Sequence, residues 1–416
     1  MPPVNQHRHP LKLAIVTETY PPEINGVART IGLTVEALCA RGHQVQLIRP
    51  RQDADDKPVD GRDLAHVLVR GLPIPRYQEL MLGLPAKRRL LRLWQQSPPD
   101  LVHVVTEGPL GGSALRAGKT LGLPVTSDFH TNFHSYSKHY GFGLFGKLVA
   151  GYLRSLHNKA DCTMVPTQQM KDELEALGFR SLLVVGRGID TVLFNPLRRS
   201  RELRAAWGCQ GDETVVLYVG RLAPEKNLGL FIEAARAMRA VDAAVRVVLV
   251  GDGPEGPGLR RAHPDFVFAG MRTGEDLAAH YASADVFLFP SVTETFGNVT
   301  TEAMASGLCV AAYNYAAAAK YIVHGESGLL APTNDRPAFN MVCCRIAREA
   351  TLRAKLRTNA RSVAEGLSWT RVFDEFEDVL IDTVARHALK SAPSWNNKPA
   401  GIRPTHQASN ESANDR

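Results

Sequence analysis

Two glutamates bracket a predicted helix start that could bind a sugar nucleotide. Glu294 lies on a loop after the apolar run of residues 284–289, and Glu302 lies inside the helical segment that follows Gly297. A helix start offers unpaired backbone N–H groups and the positive end of a dipole, which together attract phosphate. Carboxylates beside such a site suit the hydroxyls of a sugar or a ribose. The stretch therefore predicts a site for a sugar nucleotide.

A second loop carries two cations that could hold a diphosphate. Arg221 and Lys226 follow the apolar run of residues 215–219. An arginine binds phosphate oxygens through its planar fork, and a lysine acts as a point charge. A solvated turn explains the same loop equally well when it is taken alone. Its place after a predicted strand favours the diphosphate clamp.

Two loops in the N-terminal half end predicted strands in the same way. Gly26 precedes a helical pattern over residues 27–41, and a glycine there lets the backbone approach a phosphate closely. A plain connecting loop is the alternative. His130 follows the run of residues 124–128 and is favoured over His134 as an imidazole that faces a ligand. The alternative is a structural histidine.

A glycine pattern in the C-terminal half matches the dinucleotide-binding fingerprint. The letters are Gly251-x-Gly253-x-x-Gly256, but the pattern follows a late strand, and Pro254 and Pro257 crowd the first helical turn. No acidic residue ends the next strand, where a ribose partner is expected. A tight turn between strand and helix is favoured over NAD binding.

The elements that must position these loops alternate between apolar runs and helical patterns. Such alternation predicts an α/β protein with parallel sheets covered by helices on both faces. Ligands then bind at the carboxyl ends of the strands. The predicted strands fall into two series: residues 11–17, 44–48, 101–105 and 124–128, then 215–219, 246–250, 266–269, 286–289 and 309–312.

The two series predict two doubly wound, Rossmann-like domains that face each other across a cleft. We place the first domain at residues 11–195 and the second at residues 205–366, with the Arg-rich stretch of residues 198–204 as the linker. An amphipathic helix over residues 367–390 is expected to return to the first domain. The Pro-, Asn- and Ser-rich tail, residues 391–416, is expected to be disordered.

Taken together, these residues resemble the retaining family-four glycosyltransferases of the GT-B fold, over residues 11–389. The loop versions Ser-Asp-Phe-His-Thr-Asn and Thr-Phe-Gly-Asn-Val-Thr are most similar to GDP-mannose-dependent α-mannosyltransferases and bacterial glycolipid glycosyltransferases. The motifs that carry the resemblance are Glu294-x7-Glu302 with Phe296-Gly297 inside it and Glu-Ala-Met-Ala-Ser-Gly at its end, Gly220-Arg221-x4-Lys226, Tyr-Pro-Pro-x3-Gly26-Val27, and Asp128-Phe129-His130-Thr131.

The resemblance implies catalytic roles for His130, Arg221, Lys226 and Glu294. The two cations would stabilise the departing diphosphate, Glu294 would contact the donor sugar, and His130 would lie near the sugar and the acceptor. The resemblance also implies a larger set of donor-binding residues. Glu302 would bind the ribose, the loop at residues 270–272 would border the base, and the others would surround the diphosphate and sugar: Gly26, Val27, Gly270, Met271, Arg272, Phe296, Gly297, Asn298, Val299 and Glu302.

The resemblance implies neither a bound metal nor another cofactor. The sequence offers no convincing Asp-x-Asp site after a strand of the first domain, since Asp53-x-Asp55 lies in a polar loop. One departure concerns the segment after the strand at residues 309–312. Relatives often carry a Gly-Gly pair there, whereas this chain has alanines at residues 316–319. The departure leaves the activity in place and the identity of the sugar open.

Composition is that of an ordinary folded protein, with 44% hydrophobic and 22% charged residues. The net charge of +7 suggests a phosphate-rich or anionic partner, and no nucleic-acid partner is expected. The six cysteines lack zinc-type spacing, which favours a reducing cytoplasm. No signal peptide is expected from residues 1–10, and no apolar run is long enough to span a bilayer.

Two basic amphipathic stretches, residues 76–95 and 141–159, are suited to an anionic membrane surface. Helices that face the core with solvated charged backs are the equal alternative. The sequence thus predicts an enzyme that moves a hexose, preferably mannose, to a lipid or saccharide acceptor at the inner membrane face. A UDP-hexose or UDP-uronic acid donor is one alternative. A non-catalytic nucleotide-sugar sensor on the membrane is another.

Overall fold

The computed structural model describes residues 9–23, 25–53, 55–58, 60–74, 77–130 and 144–391. It contains two parallel sheets, one of seven strands and one of six. The central strands are buried on both faces because helices cover each sheet on either side, whereas the edge strands Leu64–Val69 and Val267–Gly270 are partly exposed. The predicted α/β class with two doubly wound units is confirmed. We call the units built on these sheets the first and second domains.

The first sheet has the strand order β3-β2-β1-β6-β7-β8-β9. β1 lies between β2 and β6, so successive strands are added first on one side of β1 and then on the other. Such a switch point opens a crevice at the carboxyl ends of the strands. The strands are β1 Lys12–Val16, β2 Gln44–Pro50, β3 Leu64–Val69, β6 Leu101–Val104, β7 Val125–Asp128, β8 Cys162–Val165 and β9 Leu182–Val184.

An antiparallel hairpin, β4 Gly71–Ile74 and β5 Tyr77–Gly83, follows β3. The helices of the first domain alternate with its strands along the chain, as in other α/β folds. They are α1 Gly26–Ala40, α2 Lys87–Gln96, α3 Pro109–Thr120, α4 Leu144–His157 and α5 Gln168–Ala176.

The second sheet has the order β12-β11-β10-β13-β14-β15, with its switch point at β10. Its strands are β10 Val215–Val219, β11 Arg246–Val250, β12 Val267–Gly270, β13 Val286–Phe289, β14 Cys309–Tyr313 and β15 Leu329–Ala331. Its helices are α6 Arg201–Ala206, α7 Leu228–Val241, α8 Gly256–Ala262, α9 Gly274–Ser283, α10 Asn298–Ala305, α11 Ala316–Tyr321, α12 Arg336–Arg348 and α13 Ala350–Glu365, with short 3-10 turns at Pro196–Arg198 and Pro224–Lys226.

The last helix, α14 Trp369–Ser391, packs on the first domain. Its Phe376 and Leu380 lie in the same buried cluster as Leu13 and Ile15 of β1. The chain crosses between the domains twice, and the crossings touch: Ile189 N–H donates to Leu367 O at 2.8 Å. The tail beyond α14, residues 392–416, which we expect to be disordered, lies outside the described residues.

The Arg-rich stretch that we expected to be a linker is held firmly by the second domain. Phe194 is fully buried in that domain's core. Arg199 and Arg204 both bind the carboxylate of Asp285, at 2.9 Å and 3.1 Å. We infer that the first domain ends near Gly188, ahead of the boundary at residue 195.

The two amphipathic stretches differ in their structure. Residues 77–83 form strand β5 rather than a helix, and α2 begins only at Lys87. Leu90 and Trp94 of α2 are fully buried, so this helix faces the core with its arginines outward. In α4, by contrast, Leu148 is 64% exposed. Residues 76 and 141–143 of the two stretches lie outside the described residues.

Candidate active site

The loops after β10 and β13 bring a predicted cation and a predicted carboxylate into contact. Lys226 Nζ donates to Glu294 Oε1 at 2.5 Å. The same oxygen accepts a hydrogen bond of 2.8 Å from the Ser291 hydroxyl. Thr293 Oγ1 fixes the two loops together by donating to the carbonyl of Glu225 at 2.9 Å. β10 and β13 are neighbours in the sheet, so their carboxyl ends meet at one edge.

The N-termini of two helices, one from each domain, face each other across the cleft. Gly297 precedes α10 with φ 88°, a left-handed conformation that suits glycine. Gly26 begins α1, and a Cβ on it would lie 3.4 Å from Asn298 Nδ2, at the start of α10. The start of α10 has no side-chain cap, whereas Asn25 Oδ1 accepts from Ala28 N–H at the start of α1. Both helix starts carry the positive end of a helix dipole. The arrangement is suited to an anion with several phosphates.

Glu302 lies inside α10 as predicted, and both of its oxygens have partners. Oε1 accepts from Arg29 of α1 at 2.8 Å, and Oε2 accepts from the Tyr281 hydroxyl at 2.9 Å. Burial raises the pKa of Glu302, and the charge of Arg29 and the hydrogen bond from Tyr281 oppose that rise. Burial and the neighbouring charge of Glu302 raise the pKa of Tyr281 well above its usual value, so its hydroxyl stays a donor.

His130 is held at every polar atom by residues from both domains. Its ring Nε2 lies 3.2 Å from Asp128 Oδ2, and its ring Nδ1 lies 3.2 Å from a guanidinium nitrogen of Arg187. Its backbone N–H donates to Glu107 Oε1 at 3.1 Å. Its carbonyl accepts from Thr295 Oγ1 of the second domain at 3.0 Å. His134 lies outside the described residues.

Two carboxylates with little solvent exposure, Asp128 and Glu107, contact His130 at its ring and at its backbone N–H. Asp128 lies between His103 and His130, and Glu107 lies 3.6 Å from His157 Nε2. Burial alone would raise the pKa of Asp128, but the two histidines hold it well below its usual value. The pKa of Glu107 is lowered despite burial because His157 and His130 face it. Both groups are therefore anions at neutral pH.

The remaining predicted residues lie around this centre at different distances. Arg221 is on the same loop as Lys226, with its guanidinium 3.8 Å from Glu225. Phe296 is buried and Val299 packs on the second core. Val27 packs on the core of the first domain.

The loop predicted to border the base follows β12, beyond β11 in the sheet. Gly270 has φ 76°, and Met271 is 55% exposed. Arg272 binds the carbonyl of Ala269 through two nitrogens, at 3.0 Å and 2.7 Å. The loop is thus a fixed turn with an exposed apolar side chain. A backbone hydrogen bond joins it to the β11 loop: Gly251 N–H donates to Gly270 O at 2.8 Å.

The glycine fingerprint serves as a tight turn, which was the favoured interpretation. A Cβ on Gly251 would lie 2.0 Å from Gly220 O, and one on Gly253 would lie 2.4 Å from Leu222 O. Leu222 N–H also donates to Asp252 O at 2.9 Å. These glycines therefore let two strand-end loops pack backbone to backbone and support the loop of Arg221 and Lys226.

The sequence pattern did not single out several residues that the structure brings to the cleft. They are Arg29, Glu107, Arg187, Tyr281 and Thr295. Arg29 follows Gly26 by one helical turn, which is the one local signal that could have identified it. Within the described part of the chain, no group of three or more His, Cys, Asp or Glu side chains could hold a metal ion.

Comparison with known proteins covers both halves of the chain. Residues 24–193 match the family described as Glycosyltransferase Family 4, and residues 213–349 match Glycosyl transferases group 1. The chain is 33% identical over 373 residues to a GDP-mannose-dependent alpha-mannosyltransferase of Mycobacterium tuberculosis, covering 88% of this chain and 95% of that protein. This chain is a family-four glycosyltransferase.

Two further comparisons place this glycosyltransferase among its relatives. It is 30% identical to a sulfoquinovosyl transferase of Arabidopsis thaliana over 73% of this chain and 59% of that protein. Its fold matches the solved sucrose-phosphate synthase of Thermosynechococcus elongatus with TM-score 0.74 and 20% identity, over 90% of this chain and 100% of the other. The predicted GT-B architecture is confirmed.

Proposed function

We propose that this glycosyltransferase moves a hexose, preferably mannose, from a nucleotide-diphosphate sugar to a membrane glycolipid with retention of the anomeric configuration. The observation that carries the proposal is the contact of Lys226 with Glu294 beside the start of α10. In the proposal the cation binds phosphate and the neighbouring carboxylate binds sugar hydroxyls. The relative named as a GDP-mannose-dependent alpha-mannosyltransferase supports mannose and GDP.

In this proposal the diphosphate lies between the two facing helix starts. Arg221 and Lys226 bind it from the second domain, and the backbone at Gly26 and Val27 approaches it from the first. Glu294 accepts hydrogen bonds from the sugar hydroxyls. Backbone N–H groups of the α10 start, at residues 296–299, complete the sugar pocket.

Glu302 binds the ribose hydroxyls, and the turn at Gly270, Met271 and Arg272 borders the base. His130 lies where the sugar and the acceptor meet. In the reaction the bond between the anomeric carbon and the diphosphate oxygen breaks, and the acceptor oxygen bonds to the same face. The acceptor proton passes to the departing diphosphate. The cations neutralise the charge that develops there, which is the largest contribution such a site can make.

Loss of either charged partner tests the proposal. We expect Lys226→Ala and Glu294→Ala to reduce turnover by about 10²–10³-fold, because each removes a preorganised contact to charge or hydroxyls in the transition state. Lys119→Ala is a matched control, since Lys119 pairs with Asp161 outside the cleft at 2.7 Å. Full transferase turnover by either site variant would overturn the proposal.

A UDP-hexose or UDP-uronic acid donor is the second candidate. The similarity to a sulfoquinovosyl transferase leaves the donor sugar open, because that relative is named for a sugar other than mannose. Competition binding of GDP-mannose against UDP-glucose and UDP-glucuronic acid decides between the donors. If a UDP-sugar binds more tightly than GDP-mannose, the UDP-sugar is the preferred donor.

We also propose that the first domain meets an anionic membrane surface at the cytoplasmic face. A groove of about 710 Å³ lies between β3, the hairpin and α2, lined by three arginines over an apolar floor that includes Leu68 and Met81. The arginines are Arg51, Arg70 and Arg89. Arginines around apolar side chains suit the headgroup region of an anionic bilayer. In the described part of the chain, no helix combines the length and apolar character that crossing a bilayer would need.

Sedimentation with vesicles tests this membrane proposal. We expect binding to phosphatidylglycerol vesicles but not to phosphatidylcholine vesicles, and weaker binding as salt rises. Changing Arg51, Arg70 and Arg89 together to Gln should abolish it. The matched control changes Arg236, Arg260 and Arg261, which are exposed on the second domain, and removes the same charge. Equal binding to both vesicle types would refute the proposal.

A further inference from the structure

An ion pair between Arg29 and Glu302 joins the two domains directly across the cleft. Arg29 Nη1 lies 2.8 Å from Glu302 Oε1, and the two residues are 273 positions apart in the chain. Glu302 is 7% exposed and Arg29 is 40% exposed. The carboxylate is thus buried in the second domain, while its cation reaches it from the first domain along the open side of the cleft.

The guanidinium of Arg29 is held in place by a second contact. It lies over the ring of Phe194, 5.3 Å from the centroid. Phe194 belongs to the core of the second domain, so both contacts of the Arg29 head are to that domain. Arg29 stands on α1, whose start at Gly26 faces the start of α10. Because Arg29 and Glu302 belong to different domains, their contact requires the two domains to be close together at this end of the cleft.

The ion pair leaves Glu302 able to accept further hydrogen bonds. An ionised carboxylate has about four lone-pair sites. Arg29 uses one on Oε1, and Tyr281 uses one on Oε2. Each oxygen keeps a second site, so a diol such as a ribose can still donate to both. The pair therefore orients the carboxylate and does not block it.

We propose that Arg29 is a positioning residue for the nucleotide-sugar donor, which completes the ribose-binding carboxylate only when the domains close. This inference rests on the proposed role of Glu302. It makes donor affinity depend on a residue of the acceptor-side domain. Donor binding and closure then stabilise each other, as linkage requires.

Charge explains why Glu302 needs this partner. The groups that face it are Arg29 from α1 and Tyr281 from α9, with Tyr218 behind Tyr281. From α13, Arg361 binds the carbonyl of Ala305. Burial already raises the pKa of Glu302, and Arg29 is the cation that opposes this rise. Without Arg29 the pKa of Glu302 rises further, and a protonated Glu302 accepts fewer hydrogen bonds than the carboxylate.

Calorimetric binding of GDP, or of UDP if the wild type binds it more tightly, tests the inference. We expect Arg29→Met to weaken binding roughly 10-fold at pH 7. The loss should be larger at pH 6 than at pH 8, because Glu302 is protonated more at pH 6. Arg29→Lys, which keeps the charge, should restore most of the affinity. In turnover assays Arg29→Met should raise the donor KM more than it lowers kcat.

Arg41→Met is the matched control. Arg41 lies at the C-terminal end of α1 and pairs with Asp374 at 2.7 Å, away from the cleft. Glu302→Gln separates the two levels of the argument. Wild-type affinity in Glu302→Gln would overturn the proposed ribose role. Weak binding in Glu302→Gln together with wild-type affinity and pH profile in Arg29→Met would overturn the inference alone. If Arg29→Met does not fold, Arg29→Lys is compared with the wild type instead. A folded Arg29→Lys protein whose affinity for the nucleotide is far below that of the wild type at every pH would then contradict the inference.

Discussion

The ring of His130 has both nitrogens committed to the protein. Arg187 can only donate, so Nδ1 of His130 must accept, and the ring proton then lies on Nε2 and points to Asp128. Neither nitrogen is free to take a proton from an acceptor hydroxyl in this arrangement. The ring is therefore positioned rather than poised as a base, which agrees with a reaction in which the departing diphosphate takes that proton.

Replacement of the carboxylate that orients His130 should cost stability in a pH-dependent way. We expect Asp128→Asn to lower the free energy of unfolding by about 3 kcal/mol at pH 7, because it removes the buried negative charge that faces Arg187 and accepts from His130. The pKa of Asp128 in the folded protein is well below its usual value, so its contribution is present above about pH 4 and is lost as pH falls.

Thermal unfolding at pH 7 and at about pH 3 measures this, and the difference from the wild type should shrink in acid, below the pKa of an unfolded aspartate. Glu349→Gln breaks an exposed pair with Arg345 and should cost under about 1 kcal/mol at either pH. An Asp128→Asn protein as stable as the wild type at pH 7 would show that the charge is not needed.

The sequence predicted the residues of the site whose neighbours in the chain form a motif. Glu294, Lys226 and Glu302 belong to loops or helix starts with a recognisable pattern. Arg29, Glu107 and Arg187 could not be found in this way, because their partners lie 273, 23 and 57 residues away. Such contacts depend on how the sheets order their strands and how the domains close, which local spacing does not encode.

At the scale of elements, the strands with unbroken apolar runs were predicted to the residue. β10, β11 and β13 are examples. The short strands β9 and β15, of three residues each, carry too little pattern to be recognised. The helix expected within residues 76–95 was wrong over its first part, because residues 77–83 pair with β4 as a hairpin. The secondary structure of residues 77–83 is thus determined by pairing with β4 and not by the local amphipathic pattern.

The departure from the Gly-Gly pattern of relatives falls at the start of α11, in a conformation that favours glycine. Ala316 has φ 53°, a left-handed conformation that costs an alanine about 1–2 kcal/mol. We expect Ala316→Gly to raise the free energy of unfolding by about 0.5–1 kcal/mol, since part of the gain is offset by the flexibility of glycine in the unfolded chain. Ala319→Gly, an exposed position in the same helix, should lose a similar amount. Chemical denaturation measures the free energy of unfolding of both variants. The same change in both would contradict the conclusion that Ala316 is strained.

The backbone packing of the glycine turn gives a second prediction for an element. Gly251→Ala should lower the free energy of unfolding by about 1–3 kcal/mol, because φ is 124° and the new Cβ meets Gly220 O. It should also weaken donor binding, since the loop of Arg221 and Lys226 must shift. Gly229→Ala in α7 has nothing within 4 Å and should be neutral or stabilising. Thermal unfolding and GDP binding measure both, and unchanged values for Gly251→Ala would be evidence against this loop contact.

At the scale of the whole molecule, the last helix belongs to the core of the first domain. Leu380→Ala should cost about 2–5 kcal/mol, because Leu380 is 1% exposed in that core. Leu389 lies on the same helix with 78% exposure, and Leu389→Ala should change stability by under about 0.5 kcal/mol. Thermal unfolding of the full chain compares them. Equal midpoints would mean that α14 does not stabilise the first domain.

The return of α14 also has a consequence for how the chain is made. A ribosome releases the strands of the first domain early, but Phe376 and Leu380, which cover β1, emerge only after the entire second domain. The first domain therefore waits with part of its apolar surface uncovered while the second domain can already fold. The domain that is synthesised first is therefore the domain whose core is completed last.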